Sequence, residues 1–350
     1  MLRLSLWFIF IITKAGICLP PGESQTATLM FVGDTSTDGP NRYFARERKT
    51  IYNDAFTYVS PIIHQADLAI ANLEGAVGTE DIRNNPFKVN RKGPYLLGTT
   101  ESLQSFREAG FDLVSLANNH LNDYGAAAVK WTRKTLEKAH LEYFGVNYGR
   151  DPYKNQIPVI KDVKGIRLGF LGYEHITRQK DYLVPDEEIR RNFNEGMALF
   201  SERTLQQDVA NLRKKKVDVI IVLMHWGRAD SSEILDSQKE LAAVLRKNGV
   251  DVVVGCHSHR LHAHSFHNNS LIAYSLGDFM MGPVNTTYWK FFARARYDFK
   301  YSINKDKVKE FIRSAKNIQD FHLSRILKIE ITKYGVQYVL VYFLYPQMRE

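Results

Sequence analysis

The stretch VDVIIVLMHWG, residues 217–227, decides the fold that this sequence predicts. Its apolar residues do not alternate with polar ones, which is typical of a strand buried on both faces of a sheet. Six more runs share this character: TATLMFVGD (26–34), DLAIANLE (67–74), FDLVSLANNH (111–120), RLGFLGYE (167–174), VDVVVGCHSH (250–259) and SLIAYSLGDF (270–279). We interpret all of these runs as strands of an α/β fold.

Helical periods lie between several of these strands, as a parallel α/β architecture requires. The periods cover residues 99–110, 125–140, 201–216 and 232–248. Past residue 284 the pattern changes, and two apolar strands flank a turn at Lys333 to Gly335, which predicts an antiparallel hairpin on a sheet edge. We therefore predict a main domain over residues 27–283 and a C-terminal extension over residues 284–350 that packs on it.

Residues 1–19 have the pattern of a secretory signal peptide. Arg3 precedes an apolar run, and small residues follow at Ala15 and Gly16. The run is too short to cross a bilayer as a helix, so cleavage is favoured over an uncleaved N-terminal anchor, and a buried N-terminal strand is favoured least. We expect a secreted or extracytoplasmic protein, with glycosylation at Asn268 and Asn285 only in a eukaryotic host.

Composition and charge limit the class of protein and its partners. The chain is 44% hydrophobic and 24% charged, which excludes a disordered protein. Loss of Arg3 and Lys14 with residues 1–19 would lower the formal net charge from +9 to +7, an excess that favours an anionic polymer or phosphate ester as partner. No nucleic-acid motif is present. Loss of Cys18 with the same segment would leave Cys256 alone, which excludes an internal disulfide.

Polar residues collect where the predicted strands end. They are Asp34, Asn72, Glu74, Asn118, Asn119, His120, His225, His257 and His259. Because the carboxyl ends of parallel strands meet at one edge of a sheet, these side chains are expected to lie together. Carboxylate, amide oxygen and imidazole are ligands of Mn, Zn, Fe or Mg, so we predict one or two divalent ions there. Two such ions can generate a hydroxide nucleophile and neutralise charge on a phosphoryl or carbonyl oxygen.

Six motifs, in this order along the chain, resemble those of CapA-type capsule biosynthesis proteins. This family is implicated in poly-γ-glutamate production and is related to the calcineurin-like metallophosphoesterases. The motifs are FVGD (31–34), ANLEG (71–75), LANNHLNDYG (116–125), LMHWG (223–227), GCHSH (255–259) and YSLGDF (274–279). The resemblance covers residues 27–283 and implies a four-layer αββα sandwich of the metallo-dependent phosphatase type, with a dinuclear metal site.

The resemblance also implies roles for individual residues. The implied metal ligands are Asp34, Glu74 as a bridging carboxylate, Asn119 through its amide oxygen, and His225, His257 and His259. His120 is the implied catalytic histidine, and Asp123 would orient it or a ligand. Candidate substrate contacts are Asn72, Asn118 and His262.

Among the departures from the family pattern, one leaves the number of metal ions open. Ser36 stands two residues after Asp34, where the phosphoesterases have histidine, so a mononuclear or weakly occupied site is an alternative. Asp278 replaces the usual asparagine of the last motif. The tract GCHSHRLHAHSFH (255–267) is rich in histidine, but His264 and His267 are expected to be ordinary surface residues.

Three functions agree with these features. The first is a metal-dependent hydrolase or transferase that acts on an anionic polymer in poly-γ-glutamate biosynthesis or processing, with a membrane-bound synthase as a candidate partner. The second is a phosphomonoesterase or phosphodiesterase that uses the same site. The third is a non-enzymatic accessory protein that binds a polyanion or the synthase; the retained His120 disfavours it, because binding alone does not require a catalytic histidine.

Overall fold

The computed structural model of the chain describes residues 2–7, 13–14, 25–38, 41–42, 52–84, 95–149, 156–175, 195–267, 270–281 and 324–348. Most strands of this part belong to two sheets. The first sheet contains β1 (Leu2–Trp7), β2 (Thr13–Lys14), β3 (Ala27–Thr35), β4 (Leu68–Leu73), β7 (Leu113–Ser115), β8 (Glu142–Phe144), β17 (Asp278–Met280), β18 (Ser324–Thr332) and β19 (Gly335–Met348). Its strand order is β1-β19-β18-β3-β4-β7-β8, with β17 also paired to β3 and β2 to β19.

The second sheet has a parallel centre of its own. It contains β10 (Val159–Val163), β11 (Ile166–His175), β13 (Val219–Trp226), β14 (Val252–Cys256), β15 (His264–His267) and β16 (Ser270–Ala273), in the order β10-β11-β13-β14-β16-β15. Strands β11, β13, β14 and β16 run parallel. Two short pairs complete the described strands: β5 (Ala76–Val77) with β6 (Leu97–Gly98), and β9 (Val146–Tyr148) with β12 (Glu195–Met197).

Helices cover the outer face of each sheet. The helices are α1 (Asn53–Phe56), α2 (Ser60–Ile63), α3 (Glu80–Asn84), α4 (Ser102–Glu108), α5 (Gly125–Lys138), α6 (Glu202–Lys214) and α7 (Asp236–Lys247). Phe106 of α4 and Leu136 of α5 pack against Met30 of the first sheet. Leu212 of α6 and Leu245 of α7 belong to the cluster on the second sheet.

The two sheets pack face to face over a third apolar cluster. Leu29 and Phe31 of β3 lie in it with Phe170 of β11 and Val254 of β14, and all four are fully or almost fully buried. Met30, between Leu29 and Phe31, points to the helices instead, because side chains alternate along a strand. Burial on both faces explains the unbroken apolar runs, and the predicted four-layer αββα sandwich is confirmed.

The predicted C-terminal hairpin is also confirmed. β18 and β19 pair in antiparallel register around Lys333 and Tyr334, and β18 pairs with β3, so residues 324–348 extend the first sheet. β1 pairs with the outer side of β19. The structure therefore shows a paired strand at Leu2–Trp7, the conformation that the sequence favoured least, and cleavage after residue 19 stays a prediction. None of the helices in the described ranges is long and apolar enough to cross a membrane.

The prediction of one strand over residues 270–279 is wrong. The run divides into β16 in the second sheet and β17 in the first. Gly277 turns the chain with φ 70°, and its carbonyl oxygen accepts the Asp34 N–H at 3.0 Å. A Cβ at Gly33 would lie 1.9 Å from that oxygen, so glycine at position 33 allows the crossing chain to reach β3.

Candidate metal centre

The strand-end residues named from sequence come together at one edge of the two sheets. Asp34 lies at the end of β3, and Glu74 directly follows β4. The loop after β7 supplies Asn119 and His120. The second sheet adds His225 near the end of β13, and the chain after β14 adds His257 and His259. These residues form two donor clusters, with the Glu74 carboxylate beside the first.

The first donor cluster contains Asp34, His259 and Asp278. One ligand atom from each lies within 4.8 Å of the others. His259 Nδ1 is 2.7 Å from Asp278 Oδ1 and 3.6 Å from Asp34 Oδ2. Asp278 reaches this position because β17 pairs with β3 and aligns Asp278 with Asp34. Asp278 thus brings a second carboxylate to a site where Ser36 offers no imidazole.

The second donor cluster contains Asn119, His225 and His257. His225 Nε2 is 2.9 Å from Asn119 Oδ1 and 3.2 Å from His257 Nδ1. Burial, and then the neighbouring His257, lower the pKa of His225 well below its ordinary value. A neutral imidazole is the form that binds a metal ion. Asn72 links the two clusters, because its Nδ2 donates to Asp34 Oδ1 at 2.7 Å and lies 3.4 Å from His225 Nδ1.

Glu74 is the strongest indication of a bound cation. Both oxygens of its carboxylate are buried, and neither has a hydrogen-bond partner. Oε1 faces two imidazoles, at 3.7 Å from His120 Nε2 and 4.0 Å from His259 Nε2. Burial, and then the charge of Asp34, raise the pKa of Glu74 well above its ordinary value. A buried carboxylate without a hydrogen-bond partner destabilises the folded protein. Glu74 is therefore suited to be a ligand of a divalent cation.

Charge and burial at the first donor cluster agree with that interpretation. Burial raises the pKa of Asp34 to about 6, although His259 opposes the shift. For His259, burial lowers the pKa, but the carboxylates of Asp278 and Glu74 outweigh it and raise the pKa well above its ordinary value. The metal-free centre therefore shares protons between carboxylates and an imidazole. A divalent cation would replace those protons.

His120 is held by a carboxylate of its own. Its Nδ1 is 2.7 Å from Asp123 Oδ2, which also accepts the Leu96 N–H at 2.7 Å. With Nδ1 fixed in this way, Nε2 points toward Glu74. Asp123 is therefore placed to orient the His120 ring, which is one of the two roles that the sequence left open for Asp123.

The backbone at the two histidines after β14 is strained. His257 has φ 92° and His259 has φ 54°, a region that side chains with a Cβ seldom adopt. The His257 N–H donates to Asp34 Oδ2 at 2.9 Å, which helps to hold this geometry. Strain of this kind concentrates at functional sites, where it pre-positions ligands.

The candidate substrate contacts already bind protein groups. Asn118 Oδ1 accepts the N–H groups of Gly75 and His120, and its Nδ2 donates to Leu73 O. His262 Nε2 lies 2.8 Å from Ser231 O. Asn118 thus holds the loops that carry Glu74 and His120. Substrate contact by Asn72, Asn118 or His262 stays a prediction.

The remaining residues named from sequence lie apart from the two donor clusters. His264 is half-buried and His267 is exposed, both in β15, as expected of residues outside the clusters. Cys256 is buried, and burial raises the pKa of its thiol well above its ordinary value, which disfavours a nucleophilic role. Asn268 and Asn285 lie outside the described residues.

Asp278 is the centre residue that the sequence did not reveal. It was visible only as a departure from a family motif, with no signal for a ligand. Its contribution depends on the crossing from β16 to β17 between the sheets, and one continuous apolar run does not predict that crossing.

Comparisons with known proteins agree with this geometry. The family model described as "Bacterial capsule synthesis protein PGA_cap" matches residues 28–283. "Capsule biosynthesis protein CapA" of Bacillus anthracis is 29% identical over 260 residues, which are 74% of this chain and 60% of that protein. "PGA biosynthesis protein CapA" of Bacillus subtilis (strain 168) is 28% identical over 251 residues, which are 71% of this chain and 62% of that protein. The chain thus spans about three-fifths of the length of these curated relatives.

A solved structure shares the fold. The calcineurin-like phosphoesterase YfkN from Bacillus subtilis superposes with a TM-score of 0.50 and 11% identity, over 92% of this chain and 91% of that chain. At this identity the likeness concerns the fold alone, and it places the chain among metallophosphoesterase-type folds. Since the family model covers most of the chain, including every donor of both clusters, the protein belongs to the PGA_cap family of bacterial capsule synthesis proteins.

Proposed function

We propose that this protein is an exported, metal-dependent hydrolase or transferase that acts on an anionic polymer of the poly-γ-glutamate type. The observation that carries the proposal is Glu74, a buried carboxylate with no hydrogen-bond partner that lies beside His259 of the first donor cluster and faces His120. The names of two curated relatives, which refer to capsule and PGA biosynthesis, support the polymer as substrate. The formal net charge of +9 favours an anionic partner.

Two groups of residues would hold the metal. Asp34, His259 and Asp278 would hold one ion, and Glu74 would add a ligand beside them. Asn119, His225 and His257 would hold a second ion. Oxygen and imidazole donors of this kind suit Mn, Zn, Fe or Mg. When bound, such an ion supplies Lewis acidity, which activates water and withdraws charge from a carbonyl or phosphoryl oxygen.

His120 provides the proton chemistry of the chain itself. Asp123 Oδ2 accepts a hydrogen bond from the N–H at His120 Nδ1. This contact fixes the tautomer and leaves Nε2 directed into the centre. A protonated Nε2 can give its proton to the leaving amine of a γ-glutamyl amide or to the leaving oxygen of an ester. Buried surroundings exclude bulk water and strengthen each of these interactions.

A comparison of polymer and phosphodiester substrates tests the proposal. The full chain is purified, its metal content is measured by mass spectrometry, and poly-γ-glutamate and bis(p-nitrophenyl) phosphate are incubated with it, with and without Mn or Zn. We expect metal-dependent shortening or transfer of the polymer, loss of that activity in His120→Ala, and unchanged metal content in that variant. His267→Ala, at an exposed position of β15, is the matched control and should behave as the wild type.

Two outcomes would overturn the proposal. If the wild type binds no metal and His120→Ala changes neither activity, the protein is a non-enzymatic binding protein. If only the phosphodiester is cleaved, the same centre serves a phosphoesterase. The chain length and end groups of the polymer product distinguish hydrolysis from transfer.

A further inference from the structure

A second group of buried polar residues adjoins the metal centre through two serines. Ser258 stands between His257 and His259, and its Oγ lies 2.8 Å from Ser275 Oγ. The carbonyl oxygen of Ser275 accepts the His262 N–H at 3.2 Å and Arg325 Nη2 at 2.9 Å. Arg325 and His262 thus share one carbonyl next to the segment that carries two metal-centre histidines.

Arg325 is a buried cation whose charge is not balanced in the described part of the chain. Its exposed fraction is 4%, and its Nε is buried without a hydrogen-bond partner. Among the described residues, no carboxylate forms an ion pair with it, and its side chain binds only the neutral carbonyl of Ser275. Burial lowers its pKa to about 10, so the guanidinium remains charged at neutral pH. A buried charge of this kind requires an opposite charge for stability.

His262 adjoins Arg325 at the Ser275 carbonyl oxygen, which both residues contact. The His262 side chain is almost fully buried, and its Nε2 lies 2.8 Å from Ser231 O, to which it can only donate. Burial lowers the pKa of His262, which favours the neutral ring and leaves Nδ1 as a buried acceptor without a partner. His262 therefore supplies no negative charge to balance the guanidinium.

The C-terminal hairpin brings Arg325 to this position. β18 pairs with β3, with Leu327 opposite Phe31, so Arg325 lies toward the end of β3 that carries Asp34. The Arg325 N–H reaches Leu276 O at 3.4 Å, in the segment that crosses from β16 to β17. The residue lies beyond residue 283, where the family match ends. Arg325 therefore reaches the segment beside the metal centre from outside the matched residues.

We propose that Arg325 forms an oxyanion subsite beside the metal centre, which binds a carboxylate or phosphate group of the substrate. The guanidinium fork can bind two oxygens of such a group, and Nε is available for one of them. The identity of the occupant as substrate rests on the proposed function. Binding of the anion itself does not require it.

Thermal unfolding of the metal-free full chain tests the subsite. The chain is treated with EDTA, and its Tm is followed while inorganic phosphate or L-glutamate is added, against chloride at matched ionic strength. A ligand that binds only the native state raises the Tm with concentration. We expect phosphate or glutamate, but not chloride, to raise the Tm of the wild type, and the more effective anion indicates a phosphate ester or a polymer carboxylate as occupant.

Variants of Arg325 decide whether this residue is responsible. Arg325→Met should weaken the apparent Kd for the anion at least about 30-fold, as truncation of one partner of a buried charge pair does. Arg325→Lys keeps the charge but not the guanidinium fork. Its apparent Kd for the anion should lie between those of the wild type and Arg325→Met. Lys328→Met, which removes a half-buried cation from the same strand, is the matched control and should leave the Kd unchanged. The basal Tm of each variant shows that it folds.

The subsite is refuted if the anions stabilise Arg325→Met as much as the wild type, or if neither anion exceeds chloride in the wild type. The two proposals fail separately. Anion binding through Arg325 in a protein without metal or polymer activity would retain the subsite and refute the proposed function. Metal-dependent polymer activity without anion-specific stabilisation would retain the proposed function and refute the subsite.

Discussion

The two sheets contribute different chemistry to one centre. The first sheet and its loops bring oxygen donors, namely Asp34, Glu74 and Asn119, whereas the second sheet and its loops bring the imidazoles His225, His257 and His259. Burial raises the pKa of both carboxylates, whereas it lowers the pKa of His225. In both regions burial favours the uncharged form.

The consequence of that shift differs between the two regions. A neutral imidazole is ready to bind a metal ion, whereas a protonated carboxyl must first lose its proton. His225 is therefore ready to bind a metal ion, whereas Asp34 and Glu74 must first lose protons. His259 must lose one as well, because the neighbouring carboxylates raise its pKa. Substitutions in the two regions should consequently have different effects on activity, metal affinity and stability.

Replacement of His120, the imidazole from the first sheet, should have the largest effect. His120→Ala should lower kcat by about 10²- to 10⁴-fold, the usual contribution of a general acid or base, with metal content unchanged. Asp123→Asn should lower kcat less and alter its pH profile, because Asp123 acts by orienting the ring. Loss of metal from His120→Ala would instead show that His120 is a metal ligand, and His120 would then not be distinct from the residues of the donor clusters.

Replacement of Asp34 should have the next largest effect, on metal affinity. Asp34→Asn should weaken affinity at least about 100-fold, beyond what changes to residues around the ligands usually cost. The reason is that Asp34 belongs to the first donor cluster and also fixes the His257 N–H and Asn72. Titration with Mn or Zn measures the affinity, and Asp236→Asn, at an exposed carboxylate, is the control. Equal affinity in Asp34→Asn and the control would exclude Asp34 as a ligand.

Replacement of Glu74 should change stability in opposite directions with and without metal. In EDTA at neutral pH, Glu74→Gln should raise the free energy of unfolding by about 1–3 kcal/mol, because burial and the charge of Asp34 disfavour an ionised carboxyl and the amide carries no charge. With metal present, the same variant should be stabilised less than the wild type, because it lacks a ligand. Chemical denaturation under both conditions measures the difference, with exposed Glu240→Gln as the control. A loss of stability in EDTA would show that Glu74 has a favourable partner.

The Glu74 effect should also depend on pH. The carboxyl ionises near 4.5 when unfolded but only at higher pH when folded, so folding retains a proton above that value. The metal-free wild type therefore loses this contribution to stability as the pH rises from 4.5, whereas Glu74→Gln does not. The stability difference between the two should be small near pH 4.5 and grow toward neutral pH. A difference that is constant with pH would show an ordinary pKa in the folded protein.

Much of the centre could be predicted because its residues directly follow apolar strands. Asp34, Glu74 and His257 stand at strand ends, and the geometry of parallel sheets brings such ends together. Asp278 and Arg325 could not be found in this way. Asp278 depends on a chain crossing between sheets that Gly33 and Gly277 permit, and Arg325 depends on the pairing of β18 with β3. Both are long-range events that leave no local pattern.

The fold shows the same division between local and long-range information. Helical periods predicted α4 to α7, and apolar runs predicted the central strands of both sheets. α6 begins after Ser201, whose Oγ accepts the Thr204 N–H. The order of strands within each sheet was not accessible, because it depends on packing between distant segments. The pairing of β1 with β19 is one example, since the residues involved are separated by almost the whole chain.

Replacement of the outer histidines of the 255–267 tract should have the smallest effect. His264→Ala and His267→Ala should leave metal affinity unchanged and shift stability by no more than about 0.5 kcal/mol, as changes outside a core or network do. His257→Ala, in contrast, removes a ligand of the second donor cluster and should lower metal content. Metal titration of the three variants side by side measures this difference. Equal losses of metal in all three variants would mean that the whole tract binds metal because it is rich in histidine. The position of His257 at the end of β14 would then not decide which histidines are ligands.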